Sequence, residues 1–164
     1  MSHAAPRPLL DLLDEASCHY ELISHAHTET ALAEAEAVGV DASHVAKTII
    51  LTTPDGFVRA VVPGSQRVDI HKVRELLEMS HVELASEEVL AGAYPEFELG
   101  AVPPFGGSPG DRVLVDGRLC GSLSPFVVFD AGTHDESLRM RTVDLIALTD
   151  ALLGDLCEEH HAVT

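Results

Sequence analysis

The stretch from Lys47 to Val62 constrains the fold more than any other. Lys47-Thr48-Ile49-Ile50-Leu51-Thr52-Thr53 and Phe57-Val58-Arg59-Ala60-Val61-Val62 are two runs rich in β-branched residues, separated only by Pro54-Asp55-Gly56. Proline presets φ at a turn's first central position, and glycine reaches conformations closed to other residues. The break therefore predicts a tight antiparallel hairpin, with Pro63-Gly64 closing it. An isolated hairpin is marginal in water, so further strands or a packed helix are required.

The rest of the chain supplies both patterns. Leu9, Leu10, Leu12 and Leu13 predict a short amphipathic helix over residues 8–16, and residues 19–23 read as a strand. Thr28 is the expected cap of an alanine-rich helix that has Glu29 in its first turn and stops at Gly39. Residues 41–46 predict a turn or a single helical turn. Asp69 opens a helix whose Ile70, Val73, Leu76 and Leu77 share one face. Residues 82–85 read as a short strand, and Ser86 caps a helix over residues 87–92. Residues 112–115 and 126–129 read as buried strands, and residues 137–141 alternate as another. Thr142 is the expected cap of a last helix running through Leu153 to Gly154, followed by a polar, fraying tail from Asp155. Strands and helices interspersed with a hairpin predict a mixed α/β sheet in one domain over residues 1–164, its core at about 18–153.

Composition excludes several classes. Apolar content of 46% suits a globular chain. No apolar run approaches the ~20 residues that span a bilayer. Met1-Ser2-His3-Ala4-Ala5-Pro6-Arg7-Pro8 lacks the charged-then-apolar order of a signal peptide, so the protein is expected in the cytoplasm. Cys18, Cys120 and Cys157 are odd in number and far apart, which supports neither a disulfide framework nor a zinc site. A net charge of −17 repels phosphate backbones at long range and speaks against a stand-alone nucleic-acid binder. It leaves room for a local positive pocket.

The candidate chemistry is sparse. Among ten histidines, His25-Ala26-His27 would place its imidazoles on opposite sides of an extended segment, and no His-Glu-x-x-His or Cys-x-x-Cys spacing occurs. No metal or nucleotide cofactor is expected, and Gly64-Ser65 and Gly121-Ser122 read as turn pairs rather than nucleophile elbows. Lys47 and Lys72 are the only lysines. On spacing alone Lys47 reads first as a solvated strand end, and only second as a cation placed to hold an anionic substrate. Gly100-Ala101-Val102-Pro103-Pro104-Phe105-Gly106-Gly107 is either a structural loop or a rigid set of backbone N–H groups facing an oxyanion. His134, in the turn expected at residues 131–135, is either bonded to its own backbone or placed to orient water or a substrate hydroxyl.

The order of these features resembles the YbaK/ProX/EbsC family of aminoacyl-tRNA deacylases, which includes the editing domain of bacterial prolyl-tRNA synthetases. The resemblance rests on residues 28–45, Lys47-Thr48-Ile49-Ile50-Leu51, Val61-Val62-Pro63-Gly64, the Gly-x-x-x-Pro loop from Gly100 to Pro104, and Phe129-Asp130-Ala131-Gly132-Thr133-His134. It spans roughly residues 18–150. It implies a mixed, partly barrel-like sheet surrounded by helices, and hydrolysis of the ester joining a wrong amino acid to the 3′ end of tRNA, in trans, with an aminoacyl-tRNA synthetase as a candidate partner. It implies Lys47, Gly100 and His134 as the catalytic set. Tyr20, Pro103, Pro104, Phe105 and Gly132 are implied as substrate-binding. Two alternatives stay open: an inactive binding or regulatory module of the same fold, and a hydrolase of another small aminoacyl ester.

Overall fold

The computed structural model describes residues 4–107, 111–120 and 125–159. The pairs Gly121-Ser122 and His160-His161 lie outside the described residues. In chain order the elements are α1 (Arg7–Glu15), β1 (Tyr20–Ser24), α2 (Ala31–Val38), β2 (Ala46–Thr53), β3 (Gly56–Pro63), α3 (Ile70–Leu77), β4 (Glu83–Leu84), α4 (Glu87–Ala93), β5 (Arg112–Asp116), β6 (Phe126–Thr133), β7 (Glu136–Arg141), α5 (Thr142–Thr149) and β8 (Leu152–Gly154). Single 3-10 turns lie at Ala42–His44 and Gly117–Leu119.

The hairpin forms in the expected register. Thr53 pairs with Gly56 and Ala46 with Pro63, leaving Pro54-Asp55 as the two-residue turn. Gly56 sits at φ +122, a value that favours glycine. β2 and β3 belong to a five-stranded sheet ordered β4-β2-β3-β5-β8, in which β5 runs parallel to both β3 and β8. A three-stranded antiparallel sheet is ordered β1-β7-β6. A parallel bridge between Val45 and Val128 joins the two. The sheet is mixed, as expected. Among the described residues it does not close into a barrel.

Both faces of β3 are buried, which explains its nearly unbroken apolar run. Val61 packs with Val113, Val115, Phe129 and Leu138, against Leu9 and Leu13 of α1 and Leu145 of α5. Val58, Ala60 and Val62 pack on the other side against Val73 and Leu77 of α3. Asp69 caps α3 by accepting from the His71 and Lys72 amides, and Ser86 caps α4 through the Val89 amide.

Four expectations are corrected. The helix cap near residue 28 is Thr30, which accepts from Ala33 N at 3.1 Å. The Thr28 amide is instead taken by the His134 carbonyl at 3.0 Å, so the helix starts later and Glu29 precedes it. β6 continues through Thr133, leaving only His134 and Asp135 as the turn before β7. Thr142 is the first residue of α5 rather than its cap, and its hydroxyl has no hydrogen-bond partner. Finally, α5 stops at Thr149, where Asp150 turns left-handed at φ 50, and Leu152–Gly154 becomes a strand. A short apolar run such as Ala151-Leu152-Leu153 fits either period, so length and the break decide.

The polar tail does not fray at its start. Leu156 and Cys157 are fully buried, and Lys72 Nζ binds Asp155 at 2.8 Å, the Cys157 carbonyl at 2.7 Å and Glu159 at 2.7 Å. The core therefore extends beyond residues 18–153, from Leu9 to Cys157. No described helix is long and apolar enough to cross a membrane.

Candidate functional site

A cleft of about 460 Å³ opens where β2 and β6 part beyond the Val45–Val128 bridge. Lys47, Thr48, Gly100, Glu34 and Asp130 line it. Two of the three expected catalytic residues, distant in sequence, thus meet at one cavity.

Lys47 is the second residue of β2 and pairs with Val62. It is partly buried, and among the described residues no carboxylate lies within ion-pair distance. Burial pushes its pKa below the usual lysine value, and the charge of Arg67 adds to that. The contrast with Lys72 is direct, because three chain oxygens bind that ammonium. A desolvated cation without a chain partner is electrostatically unsatisfied until an anion arrives.

Gly100 adopts φ +83, a backbone that other residues reach only under strain. Behind it stands His134, 5% exposed. A Cβ at Gly100 would meet the imidazole Cε1 at 3.5 Å. His134 Nε2 lies 2.7 Å from the Leu99 carbonyl, so this nitrogen carries the proton and donates. In a trans peptide the C=O and N–H point in opposite directions. Holding the Leu99 carbonyl therefore directs the Gly100 N–H away from the imidazole. Among the described residues that N–H has no acceptor. His134 is in turn fixed by its own amide, which donates to Glu98 at 3.0 Å, and by ring contact with His27 at 5.3 Å.

The other expected site residues do not line the cleft. The Pro103 carbonyl accepts from Arg59 at 2.9 Å. Pro104 and Phe105 border a separate cavity of about 330 Å³, and Phe105 packs edge-on to Phe129 at 5.7 Å. Gly132, at φ +84, lies against Phe97, where a Cβ would approach to 2.6 Å. Tyr20 donates to Asp14 at 3.3 Å and packs toward the core that holds α1.

Sequence reasoning missed three residues. Arg59 is 1% exposed and clamps the loop, donating to the Pro103 and Gly106 carbonyls and to Asp111 at 3.2 Å. Glu34, in the first turn of α2, and Asp130, in β6, add two carboxyls to the lining of the cleft that Lys47 also lines. The signal for Asp130 was present: a lone acid directly after the apolar run Phe126-Val127-Val128-Phe129 and before Ala131-Gly132. Burial pushes the Asp130 carboxyl up to about 9, helped by the charge of Glu34 and a hydrogen bond to it. Burial also raises Glu34. Among the described residues no three or more His, Cys, Asp or Glu side chains are grouped to hold a metal ion.

The Asp130 shift has a measurable consequence. A carboxyl protonated in the fold and ionised in the unfolded chain makes stability fall as pH rises from the ordinary carboxylate range toward about 9. Asp130→Asn removes that term. The variant's melting temperature is expected to fall less than the wild type's between about pH 5 and pH 8, by a few degrees. Parallel slopes in thermal melts would contradict the shift.

Comparison with known proteins places this geometry. Residues 25–148 match the aminoacyl-tRNA editing domain family. A structure described as a candidate trans-editing enzyme for prolyl tRNA synthetase superposes with TM-score 0.85 at 27% identity, covering 96% of this chain and all of that one. A scaffold protein from computational epitope grafting superposes with TM-score 0.83 at 26% identity, covering 94% of this chain and 97% of that one. No curated protein sequence matches. The chain belongs to the aminoacyl-tRNA editing domain family, the YbaK/ProX group.

Proposed function

We propose that the protein hydrolyses the ester joining a wrong amino acid to the 3′ end of tRNA, acting in trans. The observation that carries this reading is the unpaired, partly buried Lys47 sharing one cleft with the Gly100 backbone. An aminoacyl ester is already activated and needs no covalent nucleophile. Positioning of water or a neighbouring substrate hydroxyl, with stabilisation of the oxyanion, suffices. The Gly100 N–H supplies the donor to the oxyanion. Lys47 holds the phosphate or ribose of the terminal adenosine. His134 acts through the Leu99 carbonyl and is a positioning residue.

The net charge of −17 restricts contact to the tRNA 3′ end or calls for a basic partner such as a synthetase. The same charge favours, as a second reading, a small aminoacyl ester free of tRNA. The test compares mischarged tRNA with 3′-O-aminoacyl adenosine. Faster turnover of the tRNA, or inhibition of the small ester by deacylated tRNA, supports editing. Turnover of the small ester alone, indifferent to tRNA, supports the second reading.

The positioning role makes its own prediction. His134→Ala is expected to lower kcat about 100-fold with little change in KM, because the oxyanion donor loses its fixed direction. His134→Gln keeps an N–H near the Leu99 carbonyl and is expected to recover part of the rate. Equal kcat in all three proteins would contradict the role.

A further inference from the structure

Glu34 and Asp130 form an acidic pair in the cleft that the steps above do not use. Asp130 lies two residues past the Val45–Val128 bridge on β6, and Lys47 lies two residues past it on β2. Residues two apart on a strand share a face, so Lys47 and Asp130 project to the same side of neighbouring strands, into the cavity both line. The acids are built in. The Ser137 hydroxyl donates to Glu34, and His25 Nε2 lies 2.8 Å from Ser137 Oγ. Glu34 is 2% exposed, yet among the described residues no lysine or arginine reaches either carboxyl.

His134 adds an independent sign of an unfilled site. Its Nε2 is occupied by the Leu99 carbonyl, while the buried Nδ1 has no hydrogen-bond partner and lies 4.0 Å from Asp130 Oδ2. Among the described residues the cavity thus holds an ammonium that no chain carboxylate reaches and an acid pair that no lysine or arginine reaches. Buried charges of this kind are stabilised by partners of opposite sign. The complementary occupant is anionic at one end and carries an ammonium at the other, as an aminoacylated nucleotide does.

We propose that Glu34 and Asp130 form the subsite for the α-ammonium group of the aminoacyl ester. This rests on the deacylase reading and names its substrate class: esters with a free α-amino group, to the exclusion of α-hydroxyacyl and N-acylated esters. A charge-assisted hydrogen bond lost to a neutral group corresponds to about 10- to 100-fold in kcat/KM.

The experiment takes whichever of alanyl-, seryl- or threonyl-tRNA is hydrolysed fastest and compares it with its α-hydroxyacyl counterpart, made by nitrous acid deamination. The expected result is a preference for the amine of about 10- to 100-fold in the wild type that falls toward one in Asp130→Asn and Glu34→Gln. Equal rates on both esters in the wild type would overturn the subsite and leave deacylation standing. A preference unchanged in both variants would also overturn it. If no ester is hydrolysed, the deacylase reading fails, and calorimetry with 3′-amide-linked alanyl and lactyl adenosines decides. Tighter binding of the amine keeps the subsite, and equal or absent binding removes it.

Discussion

Lys47→Ala is expected to lower kcat/KM for mischarged tRNA by about 100- to 1,000-fold while leaving the protein as stable as the wild type or more so. The two halves of this expectation have one cause. Lys47 is partly buried beside a cavity, burial pushes its pKa down, and no described carboxylate offsets the cost. Removing such an ammonium relieves desolvation in the empty protein. In the substrate complex the same ammonium faces the anionic end of the ligand, and its loss is felt in full. Lys47→Arg keeps the charge but spreads it over a planar fork, so it is expected to recover only part of the rate. Steady-state kinetics and thermal melts on the same preparations check this. A large drop in melting temperature would assign Lys47 a structural role instead.

Arg59→Ala is expected to destabilise the fold by about 3–5 kcal/mol, the range for breaking a buried ion pair from one side. Arg59 is 1% exposed and holds three groups at once: Asp111 and the Pro103 and Gly106 carbonyls. Tyr94 joins the cluster, its hydroxyl donating to Asp111 and its ring 5.0 Å from the guanidinium. Burial, and then the bond to Asp111, push the Tyr94 phenol above its usual range. Alanine would strand these acceptors in a dry interior and release the loop that follows Gly100. Denaturant melts should show a lower midpoint at an unchanged slope. Arg59→Lys restores one charge but cannot reach three acceptors in the plane of a guanidinium, so it is expected to recover a minor share. An unfolding free energy within about 0.5 kcal/mol of wild type in Arg59→Ala would contradict the clamp.

The fold was legible where local chemistry was decisive. The Pro54-Asp55-Gly56 break and the runs beside it admit one local structure, and the Asp69 and Ser86 caps are set by side chains bonding their own next turn. Thr28 and Thr30 are both competent caps, and the choice was made by the distant His134 carbonyl taking the Thr28 amide. β8 exists because β5 offers it a parallel edge, which nothing near Leu152 announces.

The site divides in the same way. Lys47 and Gly100 sit on segments whose backbone geometry is local, a strand start and a left-handed glycine, so their candidacy could be read from the chain. Glu34 reads as an ordinary solvated acid in the alanine-rich run Ala31-Leu32-Ala33-Glu34-Ala35, and only the packing of α2 buries it. Arg59 reads as the exposed face of a hairpin strand. It is buried because β5 and the loop after Gly100 cover it.

The measurement that tests the central claim most directly is deacylation of tRNAs mischarged with alanine, cysteine, serine or threonine, wild type beside Lys47→Ala. Turnover of at least one substrate by the wild type, lost about 100-fold or more in the variant, is the predicted result. No turnover of any of the four, with or without an added synthetase, or equal turnover by both proteins, would contradict the account.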